Sequence, residues 1–328
     1  MGINIDIREN DILQQSPELL ETLLIDHSSP KEGKKYGHII WATDNYESLG
    51  DAYKENAFIT IELITGDNGN IIQPRTCKTE EEKQRRVRDK GEVFTPSWIC
   101  NSQNNLIDNE WFGENNVFNK ETDKGWKTNL KRIAFQTKEG KSWQDYVKDT
   151  RLEITCGEAP YLMSRYDTIT GDPIPVENRI GLLDRKLRIV NENTNNLDDW
   201  FEWAKIAFKS TYAYEWQGDN LLLARENALY TFSDFFLAKF NETPSLEMAR
   251  EIAEIISWNF WQMDGLRGVI PNSCHNVELP TLFGEPEFLP CKGCSSEDIF
   301  NPNHNGINCK IKDWNTGKTI KFIDLIKR

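Results

Sequence analysis

A strand–helix alternation between Arg151 and Asp264 constrains the fold of this chain most. The predicted strands cover residues 152–156, 210–215 and 257–263, and the predicted helices cover 195–209, 221–240 and 244–256. The helices are recognised from apolar residues that recur every three or four positions. Strands that alternate with helices along a chain are typical of a parallel sheet wound with helices. The sequence therefore predicts an α/β fold in this region.

Each predicted strand carries an acid at or near its carboxyl end. In open parallel sheets, ligands bind at this end of the strands, and an acid there can accept hydrogen bonds from ribose hydroxyls. Glu215 is the candidate for a ribose diol, and Asp264 is the candidate for an adenine amine. The other candidate residues flank the acids: Glu153, Cys156, Gly157, Trp216 and Gly265. A single acid of this kind is more often a helix N-cap or turn residue. The prediction of a ligand site therefore depends on finding three such acids at successive strand ends, separated by helices.

Four short motifs follow one another between residues 88 and 266. They are Gly91–Pro96 (GEVFTP), Glu153–Tyr161 (EITCGEAPY), Tyr214-Glu215 followed by Ala224–Asn227 (AREN), and Met263–Leu266 (MDGL). In this order they resemble the motifs of the S-adenosylmethionine domain of gamma-order adenine-specific DNA methyltransferases. That family belongs to type I and type IIG restriction–modification enzymes of bacteria and phages, and its members are commonly labelled restriction endonuclease subunit M.

The resemblance implies a fold, a cofactor and a reaction. The implied fold is a class I S-adenosylmethionine-dependent methyltransferase-like sheet with helices on both faces. In the family, the Phe-Thr-Pro motif packs on the methionine part of the cofactor, a role that passes here to Phe94, Thr95 and Pro96. The motif around Glu215 binds the ribose, and the motif around Asp264 reads the cofactor adenine. The implied reaction is methyl transfer from S-adenosylmethionine to N6 of adenine in DNA.

The chain departs from the family pattern between its first two cofactor motifs. Residues 162–214 are about twice as long as the corresponding family segment, and they contain Asp184 within the run RIGLLDRK. Asp184 therefore competes with Glu215 for the ribose role. Glu215 is preferred because the helix that follows it keeps the family pattern.

A second departure concerns the catalytic loop. The family carries Asn/Asp-Pro-Pro-Tyr/Phe after its fourth strand, where it binds the target amine and stacks on the flipped base. No Pro-Pro dipeptide occurs in this sequence, and residues 322–326, predicted as the fourth strand, are not followed by such a loop. We therefore assign no catalytic residue and expect a modification subunit that needs a partner for catalysis. The alternative is a catalytically inactive methyltransferase-fold protein with an interaction or sensing role.

The cysteines are concentrated near the C-terminus. Cys291, Cys294, His304 and Cys309 form a CxxC followed by His and Cys, a donor set that holds zinc tetrahedrally. Cys274 and His275 are alternatives to His304 in that set. An odd total of seven cysteines argues against a disulfide framework. Reduced cysteines that pack a small lobe, or a redox pair, are the other interpretations of the cluster.

The charge balance limits how this chain meets DNA. Its 328 residues carry 52 acids against 39 Lys and Arg, a formal charge of −13, which opposes non-specific attraction to phosphates. DNA contact is therefore expected through a partner, a specificity or restriction subunit. The basic run 83–90 is interpreted as a solvated helix face, with a DNA-backbone contact as the alternative.

Domain organisation and location follow from composition along the chain. We predict an N-terminal α+β extension over residues 1–90, the cofactor domain over 91–270, and a Cys-rich zinc lobe with a final strand over 271–328. No apolar run approaches the roughly 20 residues of a membrane span, and the first ten residues lack a signal-peptide core. A cytoplasmic location without membrane contact is expected.

Overall fold

A computed structural model describes residues 7–30, 33, 36–136, 140–279, 287–297, 301 and 303–326. Its helices and strands in chain order are α1 (Glu9–Gln15), α2 (Pro17–Leu24), β1 (Ile25–Asp26), β2 (Gly37–His38), α3 (Ile61–Ile64), α4 (Glu80–Lys90), α5 (Ser97–Phe112), β3 (Asn119–Thr122), β4 (Gly125–Thr128), α6 (Trp143–Lys148), β5 (Arg151–Glu153), α7 (Leu182–Asn193), α8 (Leu197–Lys209), β6 (Thr211–Glu215), α9 (Gly218–Phe240), α10 (Leu246–Asn259), β7 (Phe260–Gln262), β8 (Val277–Leu279), β9 (Glu287–Leu289), β10 (Lys310–Lys312), β11 (Thr319–Lys321) and α11 (Ile323–Ile326).

The central sheet is parallel and has three strands in the order β5-β6-β7. Glu153 pairs with Ala213, and Glu215 pairs with Gln262, so the carboxyl ends of the strands lie at one edge. The predicted α/β character is confirmed to this extent, because a parallel sheet alternates with helices. The strand β7 begins later than predicted, because α10 remains helical up to Asn259. The strand β5 ends earlier than predicted, at Glu153.

The two faces of the sheet are covered differently. Ala213 and Phe260 pack into the large core that contains α7, α8, α9 and α10. The opposite face carries Tyr214 and Trp261, which pack on residues of loops and the C-terminal hairpin. In the part of the chain that the structure describes, long helices therefore cover one face, and the expected helices on both faces are not found.

Residues of the N-terminal extension belong to the same core as the sheet. Leu20 and Leu23 of α2 are fully buried in it. The guanidinium of Arg225 in α9 donates to the carbonyl oxygens of Leu23 at 2.6 Å and Ile25 at 2.9 Å, and also bonds Phe260. The extension thus shares one core with the parallel sheet, and the boundary at residue 90 stays a prediction.

One predicted element differs in type. Residues 322–326, predicted as a fourth parallel strand, form α11 after the antiparallel β10–β11 hairpin. Lys327, Arg328 and residues 1–6 lie outside the described part. The prediction of a parallel strand was wrong because Thr319–Lys321 pairs locally with Lys310–Lys312.

The basic run predicted as a solvated face is the helix α4. Its Arg86 is only 1% exposed and donates to Glu92 at 3.0 Å and Asp219 at 2.7 Å. Lys83 and Lys90 form ion pairs with Glu80 and Asp44. The buried Arg86 fixes α4 against the start of α9 and is not available to a DNA backbone.

The helices give no indication of a transmembrane segment. Across the described ranges, each helix is too short or too polar to cross a bilayer.

Candidate functional site

A cleft of about 750 Å³ opens at the carboxyl ends of β5 and β6. Volumes of this order are typical of small-molecule sites. Seven of the predicted cofactor residues lie in its wall: Phe94, Thr95, Glu153, Cys156, Gly157, Glu215 and Trp216. We call it the strand-end cleft. Segments that are more than 100 positions apart in the sequence thus converge on one cavity.

Glu215 lies at the end of β6, where its carboxylate bridges two segments of the cleft wall. One oxygen accepts a hydrogen bond from the backbone N–H of Gly157 at 2.8 Å, and the other accepts from that of Gln217 at 3.1 Å. The side chain is buried, and burial raises its pKa to about 7, against these hydrogen bonds, which lower it. The carboxylate is therefore held in position and takes up a proton near neutral pH.

The turn after β5 adopts an unusual backbone conformation. Thr155, Gly157 and Ala159 have φ angles of 46°, 56° and 60°, in the left-handed region that costs energy for residues other than glycine. The carboxylate of Glu153 supports this turn by accepting from the N–H groups of Tyr161 and Leu162. Burial raises the pKa of Glu153 well above its usual range. Its hydrogen bonds to the segment after β5 favour a structural contribution to the cleft.

Gly157 lies against the aromatic ring of Phe94. A Cβ atom at position 157 would be 3.3 Å from that ring, so the GEVFTP segment packs closely on the turn. The guanidinium of Arg75 also lies over the Phe94 ring, 5.1 Å from its centroid. The segments around residues 94 and 157 therefore meet in space.

Two polar residues of the cleft wall, Glu92 and Asn220, were not among the candidate residues predicted from the sequence. One Glu92 oxygen accepts from Arg86, Gln217 and the Asn220 amide, at 3.0, 3.1 and 3.3 Å. The other Glu92 oxygen lies 3.7 Å from the Arg75 guanidinium in an ion pair and makes no hydrogen bond, and the side-chain oxygen of Asn220 is a buried acceptor without a hydrogen bond. A buried acceptor of this kind is normally paired, so the Asn220 oxygen suits a ligand that brings an N–H or O–H donor. Glu92 lies within the GEVFTP motif, and Asn220 lies between Glu215 and the AREN segment. These positions in the sequence could have indicated that both residues line the cleft.

Three predicted cofactor residues lie outside the cleft wall. The Asp264 carboxylate accepts from the N–H of Leu266 at 3.0 Å and that of Arg267 at 3.3 Å, as a turn former. A Cβ atom on Gly265 would be 2.7 Å from the Tyr214 ring, so this glycine permits close packing. Pro96 immediately precedes α5 and starts that helix. The structure thus does not bring Asp264 together with Glu215 in the cleft wall.

Asp184, the alternative to Glu215, is also away from the cleft. Its carboxylate accepts from Ser164 at 2.8 Å and from the N–H of Gly181 at 3.1 Å, at the beginning of α7. Burial raises its pKa. The structure therefore places Glu215 at the cleft and Asp184 in a helix cap.

The cleft wall is rich in acids. It contains Asp44, Glu55, Glu92, Glu153 and Glu215, but a single Lys, Lys90. Lys90 lies 2.5 Å from Asp44 and is paired with it. Glu92 is paired with Arg86, and burial raises the pKa of Glu153 and of Glu215, so the net negative charge of the wall is smaller than the number of acids.

A second site lies in the C-terminal lobe, where three cysteines and a histidine converge. The sulfur atoms of Cys274, Cys291 and Cys294 lie 3.6, 3.8 and 3.6 Å from Nδ1 of His304. All four ligand atoms lie within 4.8 Å of one another and could bind a metal ion. The backbone N–H of Asn305 donates to the Cys291 sulfur at 3.3 Å. Such hydrogen bonds outweigh burial and lower the pKa of Cys291 to about 6, which favours the thiolate.

Cys309 was wrongly predicted as a member of this set. It is fully buried under the sheet, where its sulfur contacts the carbonyl oxygen of Gln262 at 3.2 Å. Burial raises the pKa of this thiol well above its usual range. Cys274 takes the fourth position, and the His275 ring contacts the Ser273 carbonyl. We call the set of Cys274, Cys291, Cys294 and His304 the Cys3His centre.

Comparison with known proteins gives no match of any kind. The sequence matches no protein-family model, no curated protein and no solved structure.

Proposed function

We propose that the strand-end cleft binds S-adenosylmethionine and that the chain is a modification subunit of a restriction–modification-type system. The observation that carries the proposal is the convergence of Phe94, Gly157 and Glu215 on one cleft. These residues belong to three separate motifs of the resemblance. A chance resemblance gives no reason for the motifs to meet.

The chemistry of the cleft wall supports this ligand. S-adenosylmethionine brings ribose hydroxyls and an ammonium group as donors, together with a positively charged sulfonium. Glu215 can accept from the hydroxyls, and the Asn220 oxygen, which has no hydrogen bond, can accept from another ligand donor. Half-buried Trp216 follows Glu215 and offers an aromatic surface to the adenine.

Methylation itself is proposed for a complex. The chain has no Pro-Pro dipeptide, and the loop that positions a target adenine amine is the part the family needs for transfer. A partner subunit would supply target recognition and this loop. The product of the complex would be N6-methyladenine in DNA, with the cleft described here holding the methyl donor.

Calorimetric titration with S-adenosylmethionine tests the proposal directly. We expect one binding site with a dissociation constant in the micromolar range, equivalent to about −8 kcal/mol. NAD and ATP are the comparison ligands, because both contain the adenosine part but lack the sulfonium. Absence of heat at millimolar S-adenosylmethionine, or tighter binding of NAD, would contradict the proposal and favour a catalytically inactive interaction or sensing protein.

We further propose that the Cys3His centre holds zinc in a structural role. With Zn–S near 2.3 Å and Zn–N near 2.0 Å, a tetrahedral site puts sulfur and nitrogen roughly 3.6 Å apart. The distances to His304 Nδ1 agree with this value. Four protein ligands leave no open position for a substrate, which distinguishes a structural from a catalytic zinc.

The choice between Cys274 and Cys309 gives a prediction on metal content. Protein purified without chelator is expected to contain about one zinc per chain, and Cys274→Ser is expected to reduce this to below about 0.2. Cys309→Ser is the matched control and is expected to keep its zinc, because its sulfur lies elsewhere. The measurement is elemental analysis by mass spectrometry. Zinc lost in Cys309→Ser but kept in Cys274→Ser would refute this ligand set.

A further inference from the structure

One short segment joins the two sites. Asn272 lies in the wall of the strand-end cleft, and Cys274, two positions later, is a member of the Cys3His centre. Asn272 has a φ of 59°, so its side chain projects from a left-handed backbone position. A single residue, Ser273, therefore separates the cleft wall from a predicted metal ligand.

A shared hydrogen-bond acceptor connects Asn272 with the predicted cofactor residues. The Asn272 amide donates to the carbonyl oxygen of Ala42 at 3.3 Å. The indole N–H of Trp216 donates to the same oxygen at 3.1 Å. All three residues lie in the cleft wall. A displacement of Asn272 therefore changes the surroundings of the residue that follows Glu215.

The segment that carries Asn272 is fastened to the segment that carries His304. The Ser273 hydroxyl accepts from the N–H of Ile307 at 3.0 Å. The Asn305 side chain accepts from the N–H of His275 at 3.1 Å and donates to its carbonyl oxygen at 2.6 Å. A Cβ on Gly306 would lie 2.6 Å from the Ser273 hydroxyl, so the two segments are in close contact.

We propose that metal in the Cys3His centre positions Asn272, so that metal binding and S-adenosylmethionine binding are energetically coupled. The inference depends on the proposed function of the cleft. A metal bonded to Cys274 and His304 clamps the same two segments that these hydrogen bonds join. With the metal removed, three sulfur atoms and an imidazole within 4.8 Å of one another have no charge to hold them together. Asn272 is then a positioning residue, acting through the Ala42 carbonyl on Trp216.

Titration of zinc-loaded and zinc-depleted wild-type protein with S-adenosylmethionine tests the coupling. Coupling free energies between sites typically change affinity five- to 150-fold, and we expect about tenfold weaker binding after depletion. Because coupling is reciprocal, saturating S-adenosylmethionine should raise zinc affinity by the same factor, measured by competition with a chromophoric chelator. Equal S-adenosylmethionine affinity with and without zinc would overturn the coupling alone. Absence of binding by the zinc-loaded protein would overturn the proposed function and the coupling together.

A single substitution separates this role from general loss of structure in the lobe. Asn272→Ala is expected to keep one zinc per chain and to bind S-adenosylmethionine about tenfold more weakly, with no further loss on zinc depletion. Asn241→Ala is the matched control, because Asn241 has a φ of 58° and is exposed, as Asn272 is, but it lies at the end of α9 and does not line the cleft. It accounts for the strain of alanine in a left-handed position and should leave both affinities unchanged. An Asn272→Ala protein that still weakens tenfold on zinc depletion would refute the role of this residue.

Discussion

Replacing Glu215 with alanine is expected to weaken binding of S-adenosylmethionine by about ten- to a hundredfold. A hydrogen bond to a charged group contributes about 1.5–3 kcal/mol, and each 1.4 kcal/mol corresponds to roughly a factor of ten. Both Glu215 oxygens accept backbone N–H groups, from Gly157 and Gln217. The carboxylate is therefore held at the cleft before a ligand arrives, and little ordering cost opposes its contacts. Calorimetric titration of both proteins gives the comparison.

Asp184→Ala supplies the matched control for this substitution. Asp184 is also a buried acid that accepts backbone N–H groups, but it caps α7 and does not line the cleft. Loss of a helix cap costs about 0.5–2 kcal/mol of stability, so its melting temperature should fall while its affinity for S-adenosylmethionine is unchanged. If Asp184→Ala loses affinity and Glu215→Ala does not, the ribose role belongs to Asp184. Unchanged affinity in both variants would remove the cleft as the binding site.

Local sequence patterns predicted the positions of Glu215 and Trp216, because β6 and the helix after it follow the periodicities of strands and helices. The same patterns did not predict the tertiary role of Asp264. An acid after a strand can either contact a ligand or accept hydrogen bonds within a turn, and the local sequence is the same in both cases. The N–H groups of Leu266 and Arg267 show that Asp264 accepts hydrogen bonds within its turn. Glu92 and Asn220 were missed for a related reason, since polar residues at such positions usually face solvent.

The metal ligands illustrate the limit of spacing arguments. CxxC places two sulfur atoms on one ion through local geometry, so Cys291 and Cys294 were predictable. The remaining ligands depend on which distant segment returns to them. Cys309 is close to His304 in sequence, yet it directly precedes β10 and its side chain is buried under the sheet. Cys274 is farther away in sequence but is brought back by the contacts of Ser273 with Ile307.

The sequence also did not show which segment covers the second face of the sheet, where helices were expected. That segment is distant in sequence from the strands β5, β6 and β7. Tyr214 and Trp261 show an apolar face that must be covered, but not which element covers it. In the described structure, Ile311, Ile320 and Phe322 of the hairpin region take this place. Short strands such as β10 and β11 have weak sequence signals, so their antiparallel pairing could not be distinguished from a parallel strand.

The affinity for S-adenosylmethionine is expected to increase with pH, by about a hundredfold between pH 5 and pH 8. Burial raises the pKa of Glu215 to about 7 in the ligand-free protein, so the side chain is mostly protonated at pH 5. Ribose hydroxyls donate best to the ionised form, and the sulfonium also stabilises it. Binding must then displace a proton below pH 7, at a cost of about tenfold in affinity per pH unit.

Proton release provides a measurement of this linkage that does not depend on stability. Titration at pH 6 in two buffers of different ionisation enthalpy should show release of nearly one proton per S-adenosylmethionine bound, and at pH 8 almost none. Glu215→Gln is the control, since it keeps the size of the side chain but cannot ionise, and its affinity should vary much less with pH. A wild-type affinity with the same pH dependence as Glu215→Gln would show that the carboxylate of Glu215 does not contact the ribose.

In the absence of ligand, the free energy of unfolding depends on pH in the opposite direction to the affinity. Because the folded pKa of Glu215 lies above the unfolded value of 4.5, the wild-type protein loses stability as pH rises from 4.5 through about 7. Glu215→Gln should lack this loss.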